Sequence, residues 1–352
     1  MEWYKLRISG VRDSVIRKLM ENFQNYSDIF NFDAYYYLSK FQIKESEYKK
    51  IIESKNLSID EEIKKLEEKE IKILSYNSSE YPETLKNINQ PPVFLFYKGD
   101  ISLLKKRIIG VVGTRKVTTY GRVACEKFSQ ELVENKIVTA SGLALGIDSI
   151  CHKKSLEKGG KTIAVVGSGL DVIYPRENKI LWKEIEKKGL ILSEYPLGTE
   201  PINYNFPRRN RIIAGISRGI LVVESYKKGG SLITAGLALE EGRDVFAVPG
   251  DIFSPASEGC NDLIKNSQAK LVLNVADILS EYGWEKQETT KPKLNLTSLE
   301  EKIYNVLNKE LTLDEIIVKT SIKAGEALAI LMGLELKKVV VSVAGGKYRK
   351  RE

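Results

Sequence analysis

The chain of 352 residues contains one histidine, three cysteines and no long apolar run, and each shortage excludes a class of protein. Cys125, Cys151 and Cys260 are odd in number and lack a CxxC spacing. That argues against a disulfide framework and a zinc ribbon, and it fits a reducing cytoplasm. No segment approaches the roughly 20 apolar residues of a membrane span. Met1-Glu2-Trp3-Tyr4-Lys5 leads straight into polar sequence, without the basic head and apolar core of a signal peptide. A cytoplasmic protein is expected. His152 directly follows Cys151, and neighbours on a helix point apart, so a thiol-protease pair fails on geometry. Four residues after Asp148, His152 reads as a hydrogen-bonded structural residue. Neither a GxSxG elbow nor a metal-ligand cluster is visible. No catalytic residue, metal or cofactor is expected.

What the sequence does hold is length, apolar content and positive charge. Its length suits two or three domains of about 100–200 residues, and a hydrophobic fraction of 42% supplies their cores. A net charge of +8 suits an anionic partner, with nucleic acid the first candidate. The plainer alternative is a lysine-rich protein whose charge keeps it in solution.

Residues 1–75 read as a helical domain. Val15, Leu19 and Phe23 share one helical face after a turn at Gly10, the outline of a helix-hairpin-helix or SAM-like module. A helical domain that only packs fits equally well. The run 60–72 is charge-laced and reads as a solvated helix face. Residues 76–284 alternate short apolar strands with helices. The strands are expected at Ile108–Val112, Ile137–Ala140, Thr162–Val166, Leu190–Ser193, Gly219–Val223, Asp244–Val248 and Lys270–Leu273. Helical periodicity lies between them, as in Gly121–Asn135 and Ser231–Glu241. This is the signature of β-α-β units in a doubly wound, extended Rossmann-type α/β sheet, where ligands bind beyond the carboxyl ends of the strands. Residues 285–297 are polar and aperiodic, a linker. Residues 298–352 show three short helices and a strand pair joined at Gly345-Gly346, with Lys347, Arg349, Lys350 and Arg351 at its end. Such a winged helix can bind duplex DNA. Its third helix, however, starts Ala324-Gly325-Glu326-Ala327 without an Arg, Asn or Gln for base edges, which favours a protein-interaction module.

Four turns at strand ends could hold anions. Gly110-Val111-Val112-Gly113-Thr114-Arg115 fits neither the dinucleotide nor the phosphate-loop spacing, and Arg115 points to a guanidinium that grips a phosphate or stacks on a base. Gly167-Ser168-Gly169-Leu170-Asp171-Val172 supplies two glycines of GxGxxG but has Val172 in place of the third, and no acid follows at the usual offset. Glu194 reads as a turn residue. Phe206-Pro207-Arg208-Arg209-Asn210-Arg211 is a dense array of planar donors opening onto a helix. Lys227-Lys228-Gly229-Gly230-Ser231 places a Gly-Gly turn at a helix start, where backbone amides with the Ser231 and Thr234 hydroxyls would complete an anion cradle.

In this order the motifs resemble the DNA-processing protein A (DprA/Smf) family. The match runs through Val111-Val112-Gly113-Thr114-Arg115, Ser141–Asp148 with His152, Gly159-Gly160-Lys161-Thr162, Gly167–Asp171 and Tyr174-Pro175-Arg176-Glu177-Asn178. It continues through Ser193-Glu194, Phe206–Arg211, Gly229-Gly230-Ser231 and Pro249-Gly250, and Leu336–Val339 with Gly345–Tyr348 resembles the family's winged helix. The resemblance implies a domain that binds single-stranded DNA, forms a homodimer and helps load the RecA recombinase during natural transformation. By motif position Arg115, Arg176, Arg208, Asn210 and Arg211 would carry phosphates. Gly167, Ser168, Gly169, Gly229, Gly230 and Ser231 would line the pocket. One departure stands out: where the family reads Leu-Ile, two residues and Gly-Ala, this chain reads Leu263-Ile264-Lys265-Asn266-Ser267-Gln268-Ala269. A competing reading is a nucleotide sensor or phosphoribohydrolase-like enzyme on the same fold. Its Pro-Gly-Gly-x-Gly-Thr-x-x-Glu loop is replaced here by Lys228–Thr234, which lacks the glutamate.

Overall fold

A computed structural model describes residues 1–285, 296–337, 339–343 and 345–350. The chain divides into two units, Met1–Gln287 and Glu288–Glu352, and each has hydrophobic core clusters of its own.

The first unit is built on nine strands: β1 (Lys72–Ser75), β2 (Phe94–Gly99), β3 (Ile108–Val112), β4 (Val138–Ser141), β5 (Thr162–Val166), β6 (Leu190–Ser193), β7 (Gly219–Val222), β8 (Asp244–Ala247) and β9 (Lys270–Leu271). They form one sheet in the order β1-β2-β6-β5-β4-β3-β7-β8-β9. From β3 to β9 every pairing is parallel, and β1 and β2 add antiparallel pairings at one edge. The central strands are apolar throughout because helices cover both faces. Ile109, Val111, Leu221 and Phe246 pack on Phe128 and Leu132, while Val112, Ile220 and Val222 pack on Ile212, Ile216 and Ala235. The chain winds outward from β3 to β6, then crosses back through the helix Asn205–Ile216 to start β7 on the other side. The boundary between β3 and β7 is therefore the topological switch point, where the helices after the two strands diverge and leave a crevice.

The sequence places all of 1–75 in helices, but Lys72–Ser75 is β1, and β2 follows at Phe94–Gly99. Four residues are too few to display a period, and β2 stands apart from the β-α-β rhythm because it pairs antiparallel. Gly10, at φ +81°, turns the chain between the helices Tyr4–Ile8 and Asp13–Asn22. Val15, Leu19 and Phe23 are buried as their spacing predicts, together with Ile16 and Met20. These helices share a core with Phe94, Phe96 and Ile191 of the sheet and Trp182 of the helix Lys179–Lys188. At the departure near 263–269, the helix Glu258–Lys265 ends and Ser267 takes a left-handed φ of +56°. Its N–H donates to the Ile264 carbonyl at 3.0 Å. A serine thus holds the conformation a glycine adopts more readily.

The second unit contains the helices Ser298–Val306, Leu313–Thr320 and Ala324–Leu336, with strands β10 (Leu311–Thr312), β11 (Val340–Val343) and β12 (Lys347–Lys350) in the order β10-β12-β11. Thr297 with Glu300 and Thr312 with Glu315 form capping boxes at the first two helix starts, satisfying amides that would otherwise lack partners. Gly345 and Gly346, both at positive φ, make the wing turn. Ile303, Ile316, Leu331 and Leu334 form the core. This is a winged helix, and the short β10 is its one strand that the sequence did not reveal. On the outer side of the third helix Leu328, Met332 and Leu336 recur every four residues and are 41%, 59% and 84% exposed. Most of the expected linker, residues 286–295, and Arg351 lie outside the described residues. Among the described residues no helix is long and apolar enough to cross a membrane.

Candidate nucleic-acid interface

A cleft of about 450 Å³ opens at the switch point, beyond the carboxyl ends of β3, β4 and β7. Its first wall is the turn after β3. The Thr114 N–H donates to the Glu224 carbonyl (2.8 Å), and the Thr114 carbonyl accepts from the Ile147 N–H (3.2 Å). Those bonds hold the backbone, so Arg115 projects as an exposed side chain with its guanidinium 5.8 Å from the centroid of the Phe206 ring. A cation over a ring leaves both groups available to a phosphate or a base.

The second wall is the start of helix Asn205–Ile216. Phe206, Pro207, Arg209, Asn210 and Ile213 line the cleft. Arg209 is buried, and it donates to the carbonyl oxygens of Gly142 (2.6 Å) and Val165 and, through Nε, to the Asn210 side chain at 3.1 Å. A Cβ on Gly142 would fall 2.3 Å from the Arg209 Nη2. Glycine at 142 is thus what lets the guanidinium reach the strand ends. Burial lowers the Arg209 pKa to about 10, against the opposing pull of Asp148, so it stays charged at neutral pH. Asp148, buried on the helix Ile147–Glu157, accepts from the Gly142 and Ala144 amides at 3.1 and 3.4 Å. Burial raises its carboxyl above the ordinary value, with Arg209 acting the other way. The cleft therefore has a fixed internal cation whose counter-charge is largely occupied by backbone amides.

The third wall is the start of helix Gly230–Glu240, where Gly229 provides no side-chain cap. The Ser231 hydroxyl donates to Ser225 at 2.8 Å, so its proton is spent inside the turn. Free amides at such an end, with the helix dipole behind them, form an anion seat. A narrower recess of about 50 Å³ adjoins the cleft and shares Arg115, Ala144, Phe206 and Arg209 with it. Gly167, Ser168 and Tyr174 line that recess, and Tyr174 packs on Phe206 with ring centroids 5.5 Å apart.

Of the residues the sequence singled out, Arg115, Asn210, Gly229, Gly230, Ser231 and Thr234 meet in the cleft, and Gly167 and Ser168 in the adjoining recess. Gly169 lies outside both, with its N–H donating to the Thr199 carbonyl at 2.9 Å. Arg176 is exposed on the short turn Arg176–Asn178, also outside both. Arg208 and Arg211 line neither space, and both turn to Glu194. Arg208 is exposed and 3.7 Å from that carboxylate, and Arg211 is buried against it. Arg211 also donates to the Gln90 carbonyl. Glu194, far from being a turn residue, is 2% exposed and anchors both arginines. The physical reason is helical phase. Successive residues turn by about 100°, so 206, 209, 210 and 213 share one face while 208 and 211 share another. The sequence reading takes 206–211 as a loop entering a helix, so it counts Phe206 and Arg209 in the array without assigning them to the site, and it gives Asp148 no site role. Pro207 carried the signal, since proline favours the first turn of a helix, and that start fixes the phase.

His152 does not line the cleft. It is fully buried with Nδ1 2.6 Å from the Thr162 hydroxyl, and burial lowers its pKa to about 3.

The sequence matches the family described as DNA recombination-mediator protein A over residues 72–283 and the DprA winged helix domain over residues 287–346. It is 50% identical to the DNA processing protein DprA of Streptococcus pneumoniae over 202 residues, 57% of this chain and 71% of that one. The Bacillus subtilis protein of the same name is 41% identical over 256 residues, 72% of this chain and 86% of the relative. Among solved structures, that of DNA processing protein A from S. pneumoniae superposes with a TM-score of 0.71 at 40% identity, covering 82% of this chain and 99% of the other. A structure of the Helicobacter pylori protein, concerned with its single-stranded DNA binding mode, gives 0.55 at 31% identity over 60% of this chain and 95% of the other. With the two domain matches end to end and the sheet and winged helix in place, the chain belongs to the DNA recombination-mediator protein A (DprA/Smf) family.

Proposed function

We propose that this chain is a non-catalytic mediator of natural transformation that binds single-stranded DNA in the switch-point cleft and, as a homodimer, helps load the RecA recombinase onto it. The observation that carries the reading is the meeting, in one cleft, of the buried Arg209 cation, the exposed Arg115 over Phe206 and the uncapped start of helix Gly230–Glu240. A phosphate can use the cations and amides, and an unpaired base can use the ring, a combination suited to single strands. The DNA-binding relative from H. pylori supports the same ligand. A non-catalytic role is supported by the commitments of the ionisable and hydroxyl groups. Asp148 is held by two amides, Ser231 donates to Ser225, and His152 faces Thr162 inside the fold.

The test is a titration with single- and double-stranded oligonucleotides at two salt concentrations. Tight single-strand binding that weakens steeply with salt is expected. Release of a free base from a nucleotide would replace this reading with the phosphoribohydrolase one. Recombinase capture without any oligonucleotide binding would leave a scaffold.

A further inference from the structure

On the far side of Arg115 from the switch-point cleft lies an open groove of about 600 Å³, and Arg115 lines both spaces. One part of its lining is basic. Arg122, from the helix Thr119–Glu134, and Lys153, from the neighbouring helix Ile147–Glu157, both line the groove and are exposed. Among the described residues no acidic side chain lies within 4 Å of Arg115 or Arg122. Lys153 has only Glu157 at 3.9 Å, on the same exposed helix face, a pairing of little energetic weight. Val117, Gly146, Ser149 and Ile150 lie among the cations on that side, and the lining from residues 177–184 opposite is mixed. Ile180 is 79% exposed, Leu181 lies beside it, and Glu177 and Glu184 are the acids. Exposed cations along one side of a groove, at most weakly paired, with exposed Ile180 on the other, contribute little to the fold.

We propose that this groove is the continuation of the DNA site: the strand leaves the cleft past Arg115 with its phosphates on Arg122 and Lys153 and its bases toward Ile180 and Leu181. The inference rests on the single-stranded DNA reading above and extends it, giving the site a direction and a length. The chemistry selects single strands. In a duplex the bases face each other and offer the apolar side nothing, whereas an unpaired strand presents phosphates on one edge and base faces on the other. Glu177 and Glu184 repel phosphates from their own side, which fixes the orientation of the backbone.

The test compares oligothymidylates of about six and about twenty nucleotides, short enough for the cleft alone and long enough to reach the groove. For the R122A/K153A variant of the full chain, affinity for the long oligomer is expected to fall roughly tenfold at low salt. Its salt dependence, the slope of log affinity against log salt, should flatten by about 1.4, two phosphate contacts at about 0.7 each. Affinity for the short oligomer should change by less than about twofold. The E177Q/E184Q variant should move the long oligomer the other way, tightening it by about two- to threefold. A long-oligomer affinity and salt slope equal to wild type in R122A/K153A would overturn the groove. So would an equal loss for short and long oligomers, which would put the two side chains at the cleft itself. If the wild-type chain binds neither oligomer, the single-stranded DNA reading fails first, and that result is distinguishable from either of the others.

Discussion

In the α/β unit, arginines stand where strand ends leave a crevice: Arg209 inside it, Arg115 at its lip, with a ring and open amides between them. In the winged-helix unit, the helix that would enter a DNA groove exposes Leu328, Met332 and Leu336, and the cations gather instead on β12 at Lys347, Arg349 and Lys350. Lys350 is already held, 2.7 Å from the Asn308 side-chain oxygen and over the Tyr304 ring. Both units have folds known to meet nucleic acid, and both are basic. What separates them is whether the charge converges on a concave site. Charge spread on a wing attracts any polyanion weakly, while charge fixed in a cleft selects the geometry of its ligand.

Breaking the fixed cation gives the largest effect. Arg209→Ala is expected to destabilise the α/β unit by about 3–5 kcal/mol, because it strips the donor from the buried Gly142 and Val165 carbonyls and removes the nearby counter-charge of buried Asp148. Calorimetry should show the corresponding transition fall while that of the winged helix stays. Arg209→Met is expected to cost nearly as much for the same reason.

Acid should separate the units next. His152 is the only histidine, and its folded pKa of about 3 lies below the ordinary value of about 6.5. Below pH 6.5 the unfolded chain binds a proton that the folded chain refuses, so the stability is complete above 6.5 and is lost as pH falls toward 3. Between pH 7 and pH 5 the α/β unit should lose about 2 kcal/mol from this group alone. His152→Gln should flatten that dependence in urea melts at a series of pH values.

At the lip of the cleft, Arg115→Ala is expected to weaken single-strand binding about tenfold without moving the melting transition, since the side chain is exposed. An unchanged affinity in fluorescence anisotropy would remove Arg115 from the interface. The smallest effect tests the other half of the comparison. Replacing Lys347 and Arg349 with alanine should change single-strand affinity by less than about twofold, and a larger loss would show that the wing shares the ligand.

Much of this protein was legible because its elements are local. Four-to-five-residue apolar strands between amphipathic helices announce a parallel sheet, and Ile108–Val112, Thr162–Val166 and Leu190–Ser193 appear where the pattern puts them. The turns at Gly113–Arg115 and Gly229–Ser231 follow strands, and a doubly wound sheet brings such turns to one end. Those facts are enough to name a site and to favour an anion. Motif position gives phosphates to Arg208 and Arg211 among the arginines of 206–211, but only packing shows which of them faces the cleft. A helix starting at Asn205 sends Arg209 inward to the carbonyls of Gly142 and Val165, distant in sequence, and sends Arg211 to Glu194.

The sequence by itself determined the parallel part of the sheet, the helices and wing of the winged helix, the turns at the strand ends and the family. All follow from short-range periodicity and ordered motifs. Only the tertiary structure decided which cations face a ligand and which hold the fold together. An arginine's role depends on the carboxylate or carbonyl across from it, and that partner is set by packing between segments far apart in the chain.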